Sequence, residues 1–268
     1  MNIPIEEIRF ERGSMRFFRF GKGAKCLVIL PGLSVQSVMQ SASAVEEEYR
    51  IMENDFTVYV FDRRTELPPV YPVAEMASDT AKAITALGLR ETFLFGASQG
   101  GMMAMALTIE HPELVQKLVL GSTSSRVDPS GFAVLRKWIR LAESGSTEAL
   151  YLDFGEHLYP SHVFTQAKDS LIAAAKTVTG QDLDRFVILA KGTENFDVTD
   201  RLDGIRCPVL AIGSADDAVL GPDAMRGIAE KLRGNPGFQS YVYNGYGHAA
   251  FDTAPDYRER ILRFFLED

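Results

Sequence analysis

The chain alternates between short apolar runs and longer segments in which apolar residues recur at helical spacing, and this alternation limits the possible folds more than any other feature. The predicted strands are IRFER, MRFFRF, CLVIL, TVYVFD, TFLFG, KLVLGS, PVLAIGS and QSYVYN, in chain order. The predicted helices between and after them are VAEMASDTAKAITAL, MMAMALTI, PDAMRGIAEKL and PDYRERILRFFL. Strands that alternate with helices favour an α/β fold, with a mostly parallel sheet covered by helices on both faces.

The alternation stops between residues 126 and 195, where the apolar residues follow helical spacing and no strongly apolar strand is predicted. The four candidate helices are FAVLRKWIRLAES, TEALYLDFGEHL, VFTQAKDSLIAAAKTV and DLDRFVILAKG. We therefore predict a core domain formed by residues 1–125 and 196–268. Residues 126–195 are predicted to form a helical insertion over one end of the sheet.

Composition and charge exclude several classes of protein. A chain of 268 residues is long enough to bury a large core. Its formal net charge of -8 argues against a nucleic-acid partner, because the phosphate backbone is also negative. No signal-peptide pattern and no run of apolar residues long enough to span a membrane is visible, so we expect a cytoplasmic protein. The composition leaves open whether the chain is a monomer or a homodimer.

Ser98 lies in the segment FLFGASQGGMMAMAL, between a predicted strand and a predicted helix. Gly96 and Gly100 stand two residues before and two residues after it. Small residues at these positions allow the sharp strand-to-helix turn that exposes a nucleophilic serine. The alternative is a glycine-rich turn without chemistry. A phosphate-binding loop is disfavoured, because neither Gly-Lys-Ser/Thr nor G-x-G-x-x-G spacing occurs here.

A nucleophilic serine needs a base, and His248 is the best placed of the four histidines. It follows the last predicted strand in YNGYGHAAFDTAPD, at the sheet edge where open α/β sheets bind ligands. His111 at a helix end is better explained as a helix C-cap. His157 and His162 fall in the helical insertion, without the spacing of metal ligands.

Two adjacent aspartates follow the strand PVLAIGS, and either could orient the base. Gly213-Ser214-Ala215-Asp216 resembles the α/β-hydrolase pattern, in which this strand ends in Gly-x-x-Asp. The resemblance favours Asp216 over Asp217 as the acid. The alternative is that both are ordinary turn aspartates.

The resemblance to the α/β-hydrolase fold family extends over nearly the whole chain. Ser98, Asp216 and His248 occur in the family's order of nucleophile, acid and base. FDRR, after the fourth predicted strand, resembles the family's Asp-x-Arg, although TELPPVYP replaces the Gly-x-Gly-x-Ser that usually follows. The resemblance implies an α/β-hydrolase fold with a twisted, mostly parallel eight-stranded sheet and a helical lid inserted after strand 6.

The same resemblance implies an oxyanion hole of two backbone N–H groups. One belongs to Gln99, which follows the candidate nucleophile, and the other to Leu33 in LVILPGLS, with Ser34 as the second choice. Ser34, Trp138 and Phe251 are predicted to bind substrate. Further aromatic and aliphatic residues of the insertion are possible lid contacts, although packing is the more common role of such residues: Leu141, Phe154, Tyr159 and Phe164.

These residues predict a serine hydrolase that cleaves a carboxylic ester or related acyl bond of a small molecule through an acyl-enzyme, with no cofactor and no metal ion. Two other classes remain open at this point. One is a lyase or carbon-carbon bond hydrolase that uses the same triad, since this fold hosts many reactions. The other is a non-catalytic binding protein that retains the pocket.

Overall fold

The computed structural model describes residues 3–11 and 13–267, and its described part contains one sheet of eight strands. The order of the strands across the sheet is β1-β2-β4-β3-β5-β6-β7-β8. In chain order the strands are β1 (Glu6–Phe10), β2 (Gly13–Phe20), β3 (Lys25–Leu30), β4 (Phe56–Arg64), β5 (Thr92–Ala97), β6 (Val115–Gly121), β7 (Val209–Ser214) and β8 (Phe238–Tyr243).

The predicted mostly parallel sheet is confirmed. Strands β1, β2 and β4 pair antiparallel, and every pair from β4 through β3 to β8 is parallel. The charged patterns of the first two strands are typical of sheet edges, but only β1 lies at an edge, because β2 pairs on both sides. The predicted first strand ended at Arg12, which lies outside the described residues.

The predicted helices are present, with ends that differ by at most three residues. The helices are α1 (Ala42–Glu48), α2 (Val73–Ala86), α3 (Gln99–Glu110), α4 (Pro129–Glu143), α5 (Thr147–Leu158), α6 (Ser161–Ala175), α7 (Gly180–Lys191), α8 (Asp223–Leu232), α9 (Ala250–Thr253) and α10 (Tyr257–Leu266). Four short 3-10 helices cover Val38–Ser41, Arg50–Met52, Pro112–Leu114 and Thr199–Gly204. Sequence analysis missed α1 and α9, because a helix of one or two turns is too short to show a period.

Helices cover both faces of the sheet, and the two faces have separate cores. Leu94 of β5 packs in a cluster with α2, α3 and α8, whereas Phe93 and Phe95 pack in a second cluster with α10. All six residues of β5 are buried, as expected for a central strand with successive side chains on opposite faces. These buried faces hold the carboxyl ends of the parallel strands in fixed positions.

The helical segment predicted between the sixth and seventh strands is present as α4 to α7, which we call the helical insertion. A third apolar cluster ties it to the core through Trp138 of α4, Phe186 of α7 and Val35 and Val219 of core loops. The indole N–H of Trp138 donates to Asp153 of α5 over 2.9 Å. The insertion therefore has a packed interior of its own and rests on loops of the core.

In the part of the chain that the structure describes, no helix combines the length and the apolar composition that a membrane span requires.

Gly100→Ala is expected to destabilise the fold strongly, because a Cβ atom there would lie 1.9 Å from the carbonyl oxygen of Leu30. Backbone does not yield as a flexible side chain does, so we expect the free energy of unfolding to fall by about 3 kcal/mol or more. Gly227→Ala in α8 is the matched control: no atom lies within 4 Å of the added Cβ, and we expect a gain of up to about 1 kcal/mol. Urea unfolding measures the free energy of unfolding of both variants, and equal values for the two would contradict the packing argument.

Candidate active site

Ser98 occupies the turn between β5 and α3 in a backbone conformation that non-glycine residues rarely adopt. Its φ is 52° and its ψ is -121°. The turn is held by neighbouring backbone, because Ser98 N donates to Gly121 O over 2.8 Å and Thr123 Oγ1 donates to Ser98 O over 2.7 Å. A strained residue that its surroundings fix in this way is typical of a functional site.

The glycines around Ser98 allow close packing of backbone against backbone. A Cβ on Gly96 would lie 2.3 Å from the carbonyl oxygen of Gly100, and one on Gly100 would overlap β3. A Cβ on Gly32, in the loop after β3, would lie 3.2 Å from the Cβ of Ser98. Strand, turn and helix can therefore approach this closely only with glycine at positions 96 and 100, whereas the contact at Gly32 is tight but less severe.

The structure brings Ser98, His248 and one aspartate together in a hydrogen-bonded row. The Oγ atom of Ser98 lies 2.9 Å from Nε2 of His248. On the other side of the imidazole, Nδ1 lies 2.7 Å from Oδ2 of Asp217. His248 and Asp217 are 2% and 5% exposed, so water competes little for these hydrogen bonds.

The acid of this row is Asp217, which corrects the sequence-based choice of Asp216. The chain turns after β7, so that Asp217 points inward and the exposed Asp216 points away from the imidazole. The carboxylate of Asp216 accepts hydrogen bonds from the Ser214 hydroxyl and from the N–H groups of Gly245 and Gly247. Asp216 thus fixes the backbone of the loop that carries His248, while Asp217 fixes the imidazole ring of His248.

Both carboxylates are stabilised in their charged form. Burial raises the pKa of Asp217, but His248 and the N–H groups of Val219 and Leu220 outweigh it and keep that pKa below its ordinary value. Burial by itself would raise the pKa of Asp216, but the hydrogen bonds from Ser214, Gly245 and Gly247 together outweigh it, so this pKa is also lowered. Asp217 is therefore a carboxylate at neutral pH.

Two backbone N–H groups beside Ser98 are free to bind a negatively charged oxygen. Gln99 is the first residue of α3, and Leu33 follows Gly32 in the loop after β3. Among the described residues, the N–H groups of Leu33 and Gln99 donate to no backbone acceptor. The hydroxyl of Ser34, the second choice from the sequence, donates to Gln36 O over 2.7 Å.

Arg63, which sequence analysis did not assign a role, joins the two segments that carry these N–H groups. Its buried guanidinium donates to Pro31 O over 2.8 Å and to the side-chain oxygen of Gln99 over 2.9 Å, and Gly32 O lies 3.4 Å away. Burial lowers the pKa of Arg63 to about 10, with the charge of Asp62 acting in the opposite direction. The guanidinium is therefore charged at neutral pH and fixes one loop against the other.

A cavity of about 660 Å³ opens above Ser98, between the core and the helical insertion. The loop after β3 forms one wall, helices α4 to α6 form the opposite wall, and residues after β8 close one side. Its lining includes the predicted substrate contacts Ser34, Trp138 and Phe251, together with Leu33, Gln99, Phe154 and Tyr159. A cavity of this size suits a small organic molecule.

Two of the possible lid contacts do not reach the cavity. Leu141 packs against the apolar cluster of the insertion, and Phe164 packs against Gly155. Of the four histidines, His248 alone lines the cavity, whereas His111 ends α3 and His157 bonds to the Asp153 carbonyl within α5.

The sequence motifs give incomplete information about the acidic residues near His248. The Gly-x-x-Asp pattern places the acid in the correct loop, but the direction in which each of two adjacent aspartates points depends on the turn that follows β7. Asp252 of α9 also lines the cavity, and no motif marked it.

Comparisons with known proteins agree with this architecture. A family model described as "alpha/beta hydrolase fold" matches residues 26–255. "Putative carbamate hydrolase RutD" of Caulobacter vibrioides (strain NA1000 / CB15N) is 31% identical over 204 residues, 75% of each chain. The protein of the same name from Rhizobium rhizogenes is 24% identical over 251 residues, 90% of this chain and 92% of the relative.

Solved structures show the same fold at lower sequence identity. MGS-M2, "an alpha/beta hydrolase enzyme from a Medee basin deep-sea metagenome library", superimposes with a TM-score of 0.86 at 19% identity and covers 98% of both chains. The enol-lactonase from Burkholderia xenovorans LB400 gives 0.83 at 15% identity, with 98% of this chain and 100% of the other covered. The matched family model, the relatives and the sheet order together establish that this chain belongs to the α/β-hydrolase fold family, and that it is a hydrolase.

Proposed function

We propose that the protein is a serine hydrolase that cleaves an acyl bond of a small molecule through a covalent acyl-serine. The observation that carries the proposal is the row Ser98-His248-Asp217, with atom separations of 2.9 Å and 2.7 Å, at the base of the cavity. A serine hydroxyl becomes a strong nucleophile when a neighbouring base accepts its proton, and the base works when an acid fixes its tautomer.

The proposed reaction begins when His248 takes the proton of Ser98 as the oxygen attacks the substrate carbonyl carbon. Asp217 stabilises the imidazolium that forms. The negative charge that develops on the carbonyl oxygen is bound by the N–H groups of Leu33 and Gln99, which Arg63 holds in place. His248 then returns the proton to the leaving group, the carbonyl reforms, and the leaving group departs.

Water releases the acyl group in the second half of the reaction. His248 accepts a proton from the water, the hydroxide attacks the acyl-serine carbonyl, and the same two N–H groups bind the second oxyanion. The protonated imidazole returns its proton to Ser98 Oγ as the acid product leaves. Residues of the site carry out every proton transfer in these reaction steps, so the proposed reaction needs no cofactor.

Carboxylic esters are the first proposed substrates, and carbamates are the second. A carbamate has a carbonyl carbon that the same nucleophile can attack. The observation in its favour is that the relatives from Caulobacter vibrioides and Rhizobium rhizogenes carry the name putative carbamate hydrolase. A lyase or a carbon-carbon bond hydrolase could also use His248 as a base, and a non-catalytic binding protein would show no turnover.

We also propose that residues 126–195 act as a lid over the site. Contacts between the insertion and the core support this role. Arg185 of α7 forms an ion pair with Asp62 at the end of β4, and the side-chain nitrogen of Gln99 donates to Leu189 O and to Thr193 Oγ1. Ala249 N, next to His248, donates to Leu158 O at the end of α5 over 2.9 Å. These contacts keep the insertion closed over the catalytic row.

An organophosphonate probe is expected to label Ser98, because the probe forms a stable covalent product with an activated serine. Intact-mass measurement should show one adduct on the wild-type protein and none on Ser98→Ala. Ser43→Ala, on α1, is the matched control and should label as the wild type does. An adduct that persists in Ser98→Ala would exclude Ser98 as the nucleophile, and labelling without turnover of esters or carbamates would favour the alternative reactions.

Asp217→Asn is expected to lower kcat for an activated ester by about 10³-fold or more, because the asparagine no longer stabilises the imidazolium or fixes its tautomer. Asp216→Asn is the neighbouring control. It removes a hydrogen-bond acceptor from the loop of His248, and we expect a loss of about tenfold or less. Steady-state kinetics at fixed pH checks both, with a folding check by circular dichroism. A larger loss in Asp216→Asn would restore the acid that the sequence favoured.

A further inference from the structure

Asp252 places a carboxyl group in the cavity that the proposed reaction does not use. It lies on α9, four residues after His248, and it lines the cavity beside Phe251 and Tyr159. Its side chain is exposed to the cavity. A carboxyl group in this position faces any molecule that the cavity holds.

The charge of Asp252 lacks a cationic partner. Its Oδ2 accepts one hydrogen bond, over 3.1 Å, from the hydroxyl of Tyr159 at the end of α5. Among the described residues no cationic side chain lies within ion-pair distance of it. Arg258, on α10, is paired with Glu48 and lies over the ring of Tyr49.

The rest of the cavity offers no compensating charge. Its lining contains no lysine, arginine or glutamate, and Asp252 is the one acidic residue among the described residues that line it. The remaining polar lining groups are hydroxyls, amides and the imidazole of His248. A carboxylate without a counter-ion is unfavourable where protein displaces water, and desolvation by the surrounding cavity walls raises the pKa of Asp252 to about 6.

We propose that Asp252 and Tyr159 form a subsite that binds an ammonium group of the substrate. A bound cation would supply the counter-ion that the protein omits, and Tyr159 would hold the carboxylate facing the cavity. Aromatic rings of Phe251, Trp138 and Phe154 line the same cavity and suit the weakly hydrated surface of an alkylammonium group. This inference rests on the proposed function, because it assigns a substrate class to the same cavity.

Matched esters test the subsite through turnover. In each pair, one ester ends in trimethylammonium and the other in the isosteric tert-butyl group, with the group on the alcohol portion in one series and on the acyl portion in another. At pH 8, kcat/KM for the wild type should favour the cationic ester by about tenfold or more in one series. Asp252→Asn should lose this preference, and Asp203→Asn, which removes an exposed acid that does not line the cavity, should keep it.

The preference should also fall as the pH drops through about 6, because protonation removes the charge of Asp252. The groups that influence Asp252 are Tyr159, Arg258, Glu48 and His248. An effect of pH on the shared catalytic row slows both esters of a pair alike, so the ratio of kcat/KM values isolates the carboxylate. A ratio that stays constant from pH 8 to pH 5 would contradict the proposal.

A binding experiment separates the subsite from the proposed reaction. Trp138 is the only tryptophan of the chain and lines the cavity, so its fluorescence reports occupancy. In Ser98→Ala, choline should bind about tenfold more tightly than the isosteric 3,3-dimethylbutanol, and the addition of Asp252→Asn should abolish the difference.

The outcomes distinguish the two proposals. Choline selectivity without turnover of any ester or carbamate and without probe labelling of Ser98 would support the subsite and overturn the proposed function. Turnover with equal kcat/KM for both esters in each series, together with equal binding of choline and the neutral alcohol, would overturn the subsite and leave the proposed function intact. If the preference for the cationic ligand persists in Asp252→Asn, the proposed subsite is also overturned.

Discussion

The turn at Ser98 is the constraint on which the rest of the site depends. A backbone with φ of 52° at a serine is unfavourable in isolation, and here β3, β6 and α3 hold it from three sides. Gly96 and Gly100 permit that contact, because any side chain there would overlap neighbouring backbone. The buried central sheet therefore has two roles: its packing stabilises the fold, and it also compels the conformation that exposes the hydroxyl.

Arg63 extends this constraint to the groups that face the substrate oxygen. Its guanidinium binds the carbonyl of Pro31 and the side chain of Gln99, and the other end of that Gln99 side chain binds Leu189 and Thr193 of the insertion. One chain of hydrogen bonds thus runs from the loop after β3, through the first residue of α3, to the covering helices. These links are buried or partly buried, so water competes little for them, and together they fix the candidate oxyanion hole against the insertion.

The sequence predicts the sheet, most of the helices, Ser98 and His248, because each of these has a local signal. Strand and helix periods identify the elements, and glycines mark the turns on which chemistry depends. The sequence favours Asp216, whereas Asp217 lies beside the imidazole in the structure, because this placement depends on the direction of one turn, which neighbouring strands determine. Arg63 and Asp252 were missed because their partners, Gln99 and Tyr159, are distant in sequence.

Two carboxylates near His248 illustrate how placement separates roles that residue type alone cannot. Asp217 is buried, is hydrogen-bonded to the imidazole and accepts hydrogen bonds from two backbone N–H groups. Its charge is therefore compensated, and its pKa is lowered. Asp252 lines the cavity with a single tyrosine donor, and desolvation by the cavity walls raises its pKa to about 6. The protein itself compensates the charge of Asp217, which suits this carboxylate to stabilise an imidazolium. The second leaves its charge for a ligand to satisfy, which makes recognition its physically favoured role.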